Sequence, residues 1–118
     1  MQVLLAVCCT SALTLILHAI GLEFYLYWTY WWFDIVTHAL GGFSVGLLSA
    51  FIFFGKYLRF LFVVLILLIL GWEFFEVYVI GIDIYGASYV IDTFLDIAVS
   101  LIFAYVAALL YRLWFDRV

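Results

Sequence analysis

Four long apolar runs, separated by short polar or aromatic segments, make up almost the whole chain. A bilayer core about 30 Å thick is crossed by about 20 apolar residues in an α-helix, and each run meets that length. The runs predict spans at residues 2–22, 33–54, 57–81 and 89–114. The predicted fold is all-α: an integral membrane four-helix bundle with antiparallel up-down-up-down spans, in which residues 1–118 form a single transmembrane domain.

The connections between the runs also have a membrane character. Residues 23–32 are rich in Tyr and Trp, whose amphipathic rings settle at the level of the lipid headgroups. This segment is therefore predicted to be an interfacial belt. Glycine and polar residues predict turns at residues 55–57 and 81–88.

Composition narrows the classes of protein and of partner. The 118 residues are 72% hydrophobic and 10% charged, with a mean hydropathy of +1.38, and a soluble domain of this size could not bury so much apolar surface. The net charge of −4 gives no basic surface for nucleic acid. Membrane lipids are the predicted partners, and a homo-oligomer or a larger membrane complex is expected because four helices bury little surface alone.

The basic residues predict the orientation of the spans. With four spans, the second connection and the C-terminus lie on the same side of the membrane as the N-terminus. All four Lys and Arg residues fall on that side: Lys56, Arg59, Arg112 and Arg117. Because cytoplasmic loops are enriched in Lys and Arg, both termini are predicted to be cytoplasmic in a protein integral to the cell (inner) membrane.

The acidic residues and histidines of the spans fall toward the opposite, outer side. Helical rise places all of them within about 12 Å of the outer boundary of the bilayer. Pairs spaced three or four residues apart also project from one face of their helix. The sequence thus predicts one buried polar cluster, made from His18, Asp34, His38, Glu73, Glu76, Asp92 and Asp96.

Small residues continue two of these polar faces inward. Gly42, Gly46 and Ala50 follow His38 at helical spacing, and the fourth span continues from Asp96 with Ser100, Ala104 and Ala108. Small residues let helix backbones approach closely in lipid, so the second and fourth spans are predicted to pack together. In an alternative hypothesis, Gly42 and Gly46 contact a helix of another subunit.

The negative charges of the acidic residues in the cluster must be compensated if they lie within the bilayer. A charge deep in the bilayer costs on the order of 3 kcal/mol even on insertion scales, and all Lys and Arg residues are predicted to lie on the other side. A bound cation, protons shared among carboxyl groups, or a water-filled vestibule would each meet the cost. The predicted ligands of a divalent metal cation are His38, Glu73, Glu76, Asp92 and Asp96.

Two further residues are predicted to be additional ligands or to orient the ligands. They are Asp34 and His18, and each has a purely structural alternative. Asp34 could cap the second span, where a negative charge meets the favourable end of the helix dipole. His18 could be a neutral imidazole that hydrogen-bonds a neighbour.

Three motifs carry a family resemblance: Asp34-x-x-x-His38-x-x-x-Gly42-Phe43, then Trp72-Glu73-x-x-Glu76, then Asp92-Thr93-x-x-Asp96. In order and spacing they resemble the YjdF proteins of bacterial inner membranes, which are distantly similar to the VanZ-like family. The resemblance covers about two thirds of the chain. Val77 and Tyr89 depart from it, since the family tends to have Trp and Asp there. The resemblance implies a small polytopic membrane protein that uses these polar positions, and it names no reaction.

Three hypotheses for the function follow. In the first, a cation at the outer cluster polarises an oxygen or activates water for reaction on a lipid or envelope precursor. In the second, the cluster or the spans form a non-catalytic binding or assembly module of a membrane complex. The third is ion or proton translocation, which the scarcity of polar residues in the inner halves of the spans disfavours. Whether the chain is an enzyme stays open at this stage.

Overall fold

Helices account for nearly all of the computed structural model, which describes residues 2–53, 58–80 and 87–115. They are α1 (Gln2–Glu23), α2 (Leu26–Thr29), α3 (Trp31–Phe53), α4 (Leu58–Ile80) and α5 (Ala87–Phe115). Within these ranges the chain forms no strand, so the all-α prediction is confirmed. Four of the helices are substantial, and each corresponds to one predicted span. The predicted turn at 55–57 and most of the one at 81–88 lie outside the described residues.

Three helices are long and apolar enough to cross a membrane by length and composition: Gln2–Glu23, Trp31–Phe53 and Tyr89–Trp114. Helix α4 has 23 residues, which corresponds to about 34 Å at the rise of an α-helix. It carries Glu73 and Glu76 within its apolar sequence.

Helices α3 and α5 approach most closely where their small residues meet. A Cβ placed on Gly42 would lie 2.2 Å from the carbonyl oxygen of Ser100, and one on Gly46 would lie 2.4 Å from that of Ala104. The contact points advance in the same direction along both helices, so α3 and α5 run parallel. The predicted packing of the second and fourth spans through small residues is confirmed. Gly42 and Gly46 contact α5 of their own chain, so the alternative in which they serve another subunit is wrong.

Helices α1 and α4 run against this central pair. At one end Val3 and Val7 of α1 pack with Leu47 of α3, and at the other end a Cβ on Gly21 of α1 would meet the ring of Phe33. For α4, Leu65 packs with Ala50 and Ala104. One end of the bundle therefore holds the apolar core, which we call the core end. Its members are Val3, Val7, Leu47, Ala50, Leu65, Ala104 and Ala107.

The outer surface of the helices is strongly apolar. Large side chains on different helices are highly exposed, as in Leu15 at 61%, Phe74 at 72% and Ile102 at 59%. A water-soluble monomer rarely exposes apolar patches of this extent. The surface is therefore typical of a bundle whose solvent is lipid.

Candidate metal site

His38 lies at the centre of the polar cluster. It stands on α3 one helical turn after Asp34, and its Nε2 atom is 3.4 Å from Asp34 Oδ1. Asp34 lies in the first turn of α3, where the helix dipole favours a negative charge. The helix begins at Trp31, so Asp34 does not cap it, and from its place in the first turn the carboxylate is directed toward His38.

Three more carboxylates surround the same imidazole from the other helices. Glu76 Oε2 of α4 is 3.9 Å from His38 Nε2, and Asp96 Oδ2 of α5 is 3.7 Å from the same atom. On the other side of the ring, Glu73 Oε1 is 3.8 Å from Nδ1. These distances exceed the usual 2.7–3.2 Å or so of a hydrogen bond. Carboxylates of α3, α4 and α5 thus converge on one buried histidine with space left between the donor atoms.

The close packing of α3 on α5 holds His38 in place. Ser100 Oγ donates a hydrogen bond to the backbone carbonyl oxygen of His38 at 3.3 Å and lies 3.4 Å from His38 Nδ1. Both residues are buried, with exposed fractions of 5%. Ser100 therefore orients the imidazole, a role beyond the packing role that its place in the small-residue stripe predicted.

Glu73 is the member of the cluster that the protein leaves least satisfied. It is 8% exposed, and its Oε1 atom is buried without a hydrogen-bond partner among the described residues. A buried, unpartnered carboxylate oxygen is costly unless an ion or another ligand meets it. This oxygen points toward His38, so the missing partner belongs inside the cluster.

The donor atoms are spaced as metal ligands require. Two groups of three, Asp34–His38–Asp96 and His38–Glu73–Glu76, have ligand atoms within 4.8 Å of one another and could hold a metal ion. Oxygen and nitrogen ligands lie about 2.0–2.6 Å from common divalent cations, so ligands on opposite sides of an ion are about 4–5 Å apart. Carboxylates with one imidazole suit Mg²⁺, Mn²⁺, Fe²⁺ or Zn²⁺.

Two of the predicted residues lie at the edge of the cluster. Asp92 is exposed, one turn before Asp96 on α5, and belongs to neither ligand group. His18 also lies outside both groups, and its Nδ1 atom shares a hydrogen bond of 2.6 Å with the hydroxyl of Tyr27. Asp34, predicted as an additional or orienting ligand, thus lies in one of the two ligand groups, whereas Asp92, predicted as a ligand, lies in neither.

Tyr27 and Trp72 are contact residues that were not predicted as members of the polar cluster. Tyr27 was predicted only as part of the interfacial belt, yet its ring meets those of His18 and Phe33 at centroid distances of 5.5 and 5.1 Å. The ring of Trp72 also meets that of His18, at a centroid distance of 5.3 Å. Burial raises the pKa of Tyr27 to about 12, so its hydroxyl stays protonated at neutral pH and able to donate. The signal available in the sequence was the position of Trp72 directly before Glu73.

Two cavities meet at the cluster. One, which we call the outer cavity, lies at the end of the bundle opposite the core end and has a volume of about 220 Å³. It is lined by six of the seven predicted site residues: His18, Asp34, Glu73, Glu76, Asp92 and Asp96. The second, of about 300 Å³, extends toward the core end and shares His18, Glu73 and Glu76 with the first, while His38 lines its wall. A ligand in either cavity would therefore reach the same carboxylates.

The one basic side chain that the structure describes lies far from these acids. Arg112, in the last turn of α5, is the one Lys or Arg side chain that the structure describes. It follows Asp96 by sixteen residues, or about 24 Å along the helix. Within the described part of the chain, only the two histidines can therefore contribute a positive charge to the cluster.

Comparison with known proteins identifies no relative: no family model, no curated protein and no solved structure matches the chain.

Proposed function

We propose that the chain is an integral protein of the cell membrane in which four antiparallel spans form a single domain. Three helices already meet the length and hydropathy of a span, and α4 is antiparallel to α3 and has a comparable length of 23 residues. The exposed Leu, Ile and Phe side chains of all four long helices support this assignment. The orientation follows the basic residues, so both termini are cytoplasmic and the His38 cluster opens to the outer side.

The cluster binds a divalent cation. The observation that carries this proposal is the buried Oε1 atom of Glu73, which has no hydrogen-bond partner among the described residues and faces an imidazole surrounded by carboxylates. A cation is the ligand that would satisfy this oxygen and offset the negative charge of the cluster, because no described Lys or Arg reaches it. The proposed ligands are Asp34, His38, Glu73, Glu76 and Asp96. Asp92 and His18 line the outer cavity beside them.

The reaction proposed for this site is the modification of a lipid or envelope precursor at the outer face. A divalent cation supplies Lewis-acid chemistry, by polarising a phosphoryl or acyl oxygen or by activating water. The protein residues hold the cation, orient the imidazole through Ser100, and present the outer cavity to molecules at the membrane surface. Ion translocation is disfavoured, because Val3, Val7 and Leu47 pack with Ala107 and close the core end with apolar side chains.

Metal analysis of the purified protein tests the proposal. We expect the wild-type chain, supplemented with each divalent cation in turn, to retain one stoichiometrically after desalting. Glu73→Gln and Asp96→Asn should lose it, because each replaces a charged carboxylate with a neutral amide of nearly the same size, which is a weaker ligand. Glu23→Gln is the matched control, since Glu23 is an exposed acid at the end of α1. The proposal fails if no cation is retained, or if Glu23→Gln lowers the metal content as much as the site variants do.

A further inference from the structure

The larger cavity is a groove between α1 and α4. In the described residues, no Cα atom of α1 lies within 8 Å of a Cα atom of α4, whereas both helices pack on α3. The ring contact of His18 with Trp72 bridges the two helices at the level of the cluster. We call the space the α1–α4 groove and define it by Ser11, Thr14, Leu15, Gly41, Val45 and Leu68. From His18 to Ser11 it runs seven residues toward the core end, or about 10 Å.

The groove presents apolar atoms although several of its residues carry hydroxyl groups. Thr14 Oγ1 donates to the carbonyl oxygen of Thr10, and Ser44 Oγ donates to that of Leu40. Thr37 Oγ1 likewise donates to the carbonyl oxygen of Asp34. These hydroxyls direct their protons into their own helices, and the wall of the groove is mostly apolar. The methyl group of Thr14 faces Gly41, 3.7 Å from where a Cβ would stand.

The mouth of the groove lies on the outer surface of the bundle. Leu15 of α1 and Leu68 of α4 both line the groove and are 61% and 47% exposed. In a protein whose α1 and α4 span the bilayer, this mouth faces hydrocarbon and not water. A cavity of about 300 Å³ is at the lower end of the range for small-molecule sites, roughly 300–1,000 Å³. It matches one hydrocarbon chain better than a whole lipid.

We propose that the α1–α4 groove binds the hydrocarbon chain of an amphiphile whose anionic phosphate head group is held at the His38 cluster. The inference rests on the proposed cation site, because carboxylates alone would repel an anionic head group and a bound cation would attract it. One end of the groove is lined by His38, Glu73 and Glu76, so chain and head group can be bound together. The substrate class of the site is then a single-chain or chain-bearing phosphate ester taken laterally from the membrane.

Decyl phosphate is the probe. Protein purified in digitonin, a detergent without an alkyl chain, is loaded with the retained cation, and bound metal and bound decyl phosphate are measured on the same sample by native mass spectrometry. Gly41→Leu fills the groove, since the space next to Gly41 holds only the Thr14 methyl within 4 Å. Gly71→Leu is the matched control, because Gly71 is an exposed α4 glycine with no atom within 4 Å of its Cβ position.

We expect the wild-type and Gly71→Leu chains to bind decyl phosphate, and Gly41→Leu to bind it at least about tenfold more weakly while keeping its metal. That factor corresponds to losing the burial of two methylene groups. The groove proposal is overturned if the metal is present and Gly41→Leu binds the probe as well as Gly71→Leu, or if neither the wild type nor the control binds it. Absence of metal from the wild type would instead refute the cation site.

A second pair of variants tests the same groove if Gly41→Leu does not fold. Leu15→Trp narrows the mouth, whereas Leu13→Trp adds the same ring to an exposed position of α1 that does not line the groove. Weaker binding of decyl phosphate in Leu15→Trp alone supports the proposal. Equal binding in the two variants refutes it.

Discussion

Replacing Gly42 with alanine tests the contact that holds α3 and α5 together. The new Cβ would lie 2.2 Å from the Ser100 carbonyl oxygen, 2.6 Å from its Cα and 2.8 Å from its carbonyl carbon. All three atoms belong to the backbone of α5, which has no rotamer to change. To restore the 3.4 Å at which ordinary contacts begin, the two helices must separate by about 1.2 Å.

The cost of this separation follows from packing. Filling a well-packed contact costs about 1–3 kcal/mol, and a gap of even 0.5–1 Å or so forfeits a quarter to a half of the dispersion energy of neighbouring atom pairs. The better helix propensity of alanine offsets about 1 kcal/mol of the loss. Gly71→Ala receives the same propensity gain without any clash. The difference between the two variants should therefore be about 1–3 kcal/mol, with Gly42→Ala the less stable.

Unfolding in mixed micelles by added sodium dodecyl sulfate, followed by circular dichroism, measures this difference. The site provides a second measurement, because Ser100 donates to the His38 carbonyl oxygen and moves with α5. We expect the metal content to fall in Gly42→Ala and to stay unchanged in Gly71→Ala. If the two variants unfold within about 0.5 kcal/mol of each other, the range of a neutral surface change, the close contact does not stabilise the bundle.

Two further predictions concern Tyr27 and the cation. Because burial raises the pKa of Tyr27 to about 12, the ultraviolet titration of tyrosinate should lose a step near that pH in Tyr27→Phe. An unfolded tyrosine ionises near pH 10 or so, so the stability from neutral Tyr27 is complete below that pH and is lost as the pH rises toward about 12. An unchanged titration would contradict this. Chelation with EDTA should lower the unfolding midpoint of the wild type and leave Glu73→Gln unaffected, since a cation at a hundred times its Kd stabilises by about 2.7 kcal/mol. Equal shifts in both chains would argue against the site.

The helices and their pairing could largely be predicted from sequence, because both depend on local spacing. The length of the apolar runs defines the helices to within a few residues, apart from ends that fall outside the described part of the chain. The recurrence of small residues from Gly42 to Gly46 and from Ser100 to Ala104 identifies the contact between α3 and α5. The i, i+4 spacing likewise puts Asp34 and His38 on one face, and they lie 3.4 Å apart.

Which residues join the cluster depends on how far one helix is shifted along its neighbour. The spacing of residues within each helix does not determine that shift. Asp92 and Asp96 share a face of α5, but one turn of helix separates them by about 6 Å along the axis. Which of the two is level with His38 depends on where the close contact of Gly42 with Ser100 fixes α5 against α3. That contact brings Asp96 beside the imidazole and leaves Asp92 in the outer cavity.

The place of Tyr27 could not be predicted for a different reason. The chain turns after α1 through Tyr25, whose φ of 54° and ψ of 32° are left-handed. Residues other than glycine rarely adopt this conformation, and a tyrosine gives no sequence signal for it. The turn leads into α2 and brings Tyr27 onto His18 and Phe33. An aromatic-rich connection therefore contributes the rings of Tyr27 and Trp28 to the cavity and exposes most of its rings.

The two ends of the bundle contribute differently to its stability. The core end gains from apolar burial and from backbones in close contact, while the opposite end places four carboxylates around His38 with no described Lys or Arg near them. Each buried charge costs on the order of 3 kcal/mol on insertion scales, so the cluster opposes the packing that the core end supplies. A bound cation would offset that cost, because it would attract the carboxylates, which repel one another. The cavities lie at the cluster and between α1 and α4, where the helices of the bundle contact one another least. A bound cation and an amphiphile would add contacts between the helices at these places.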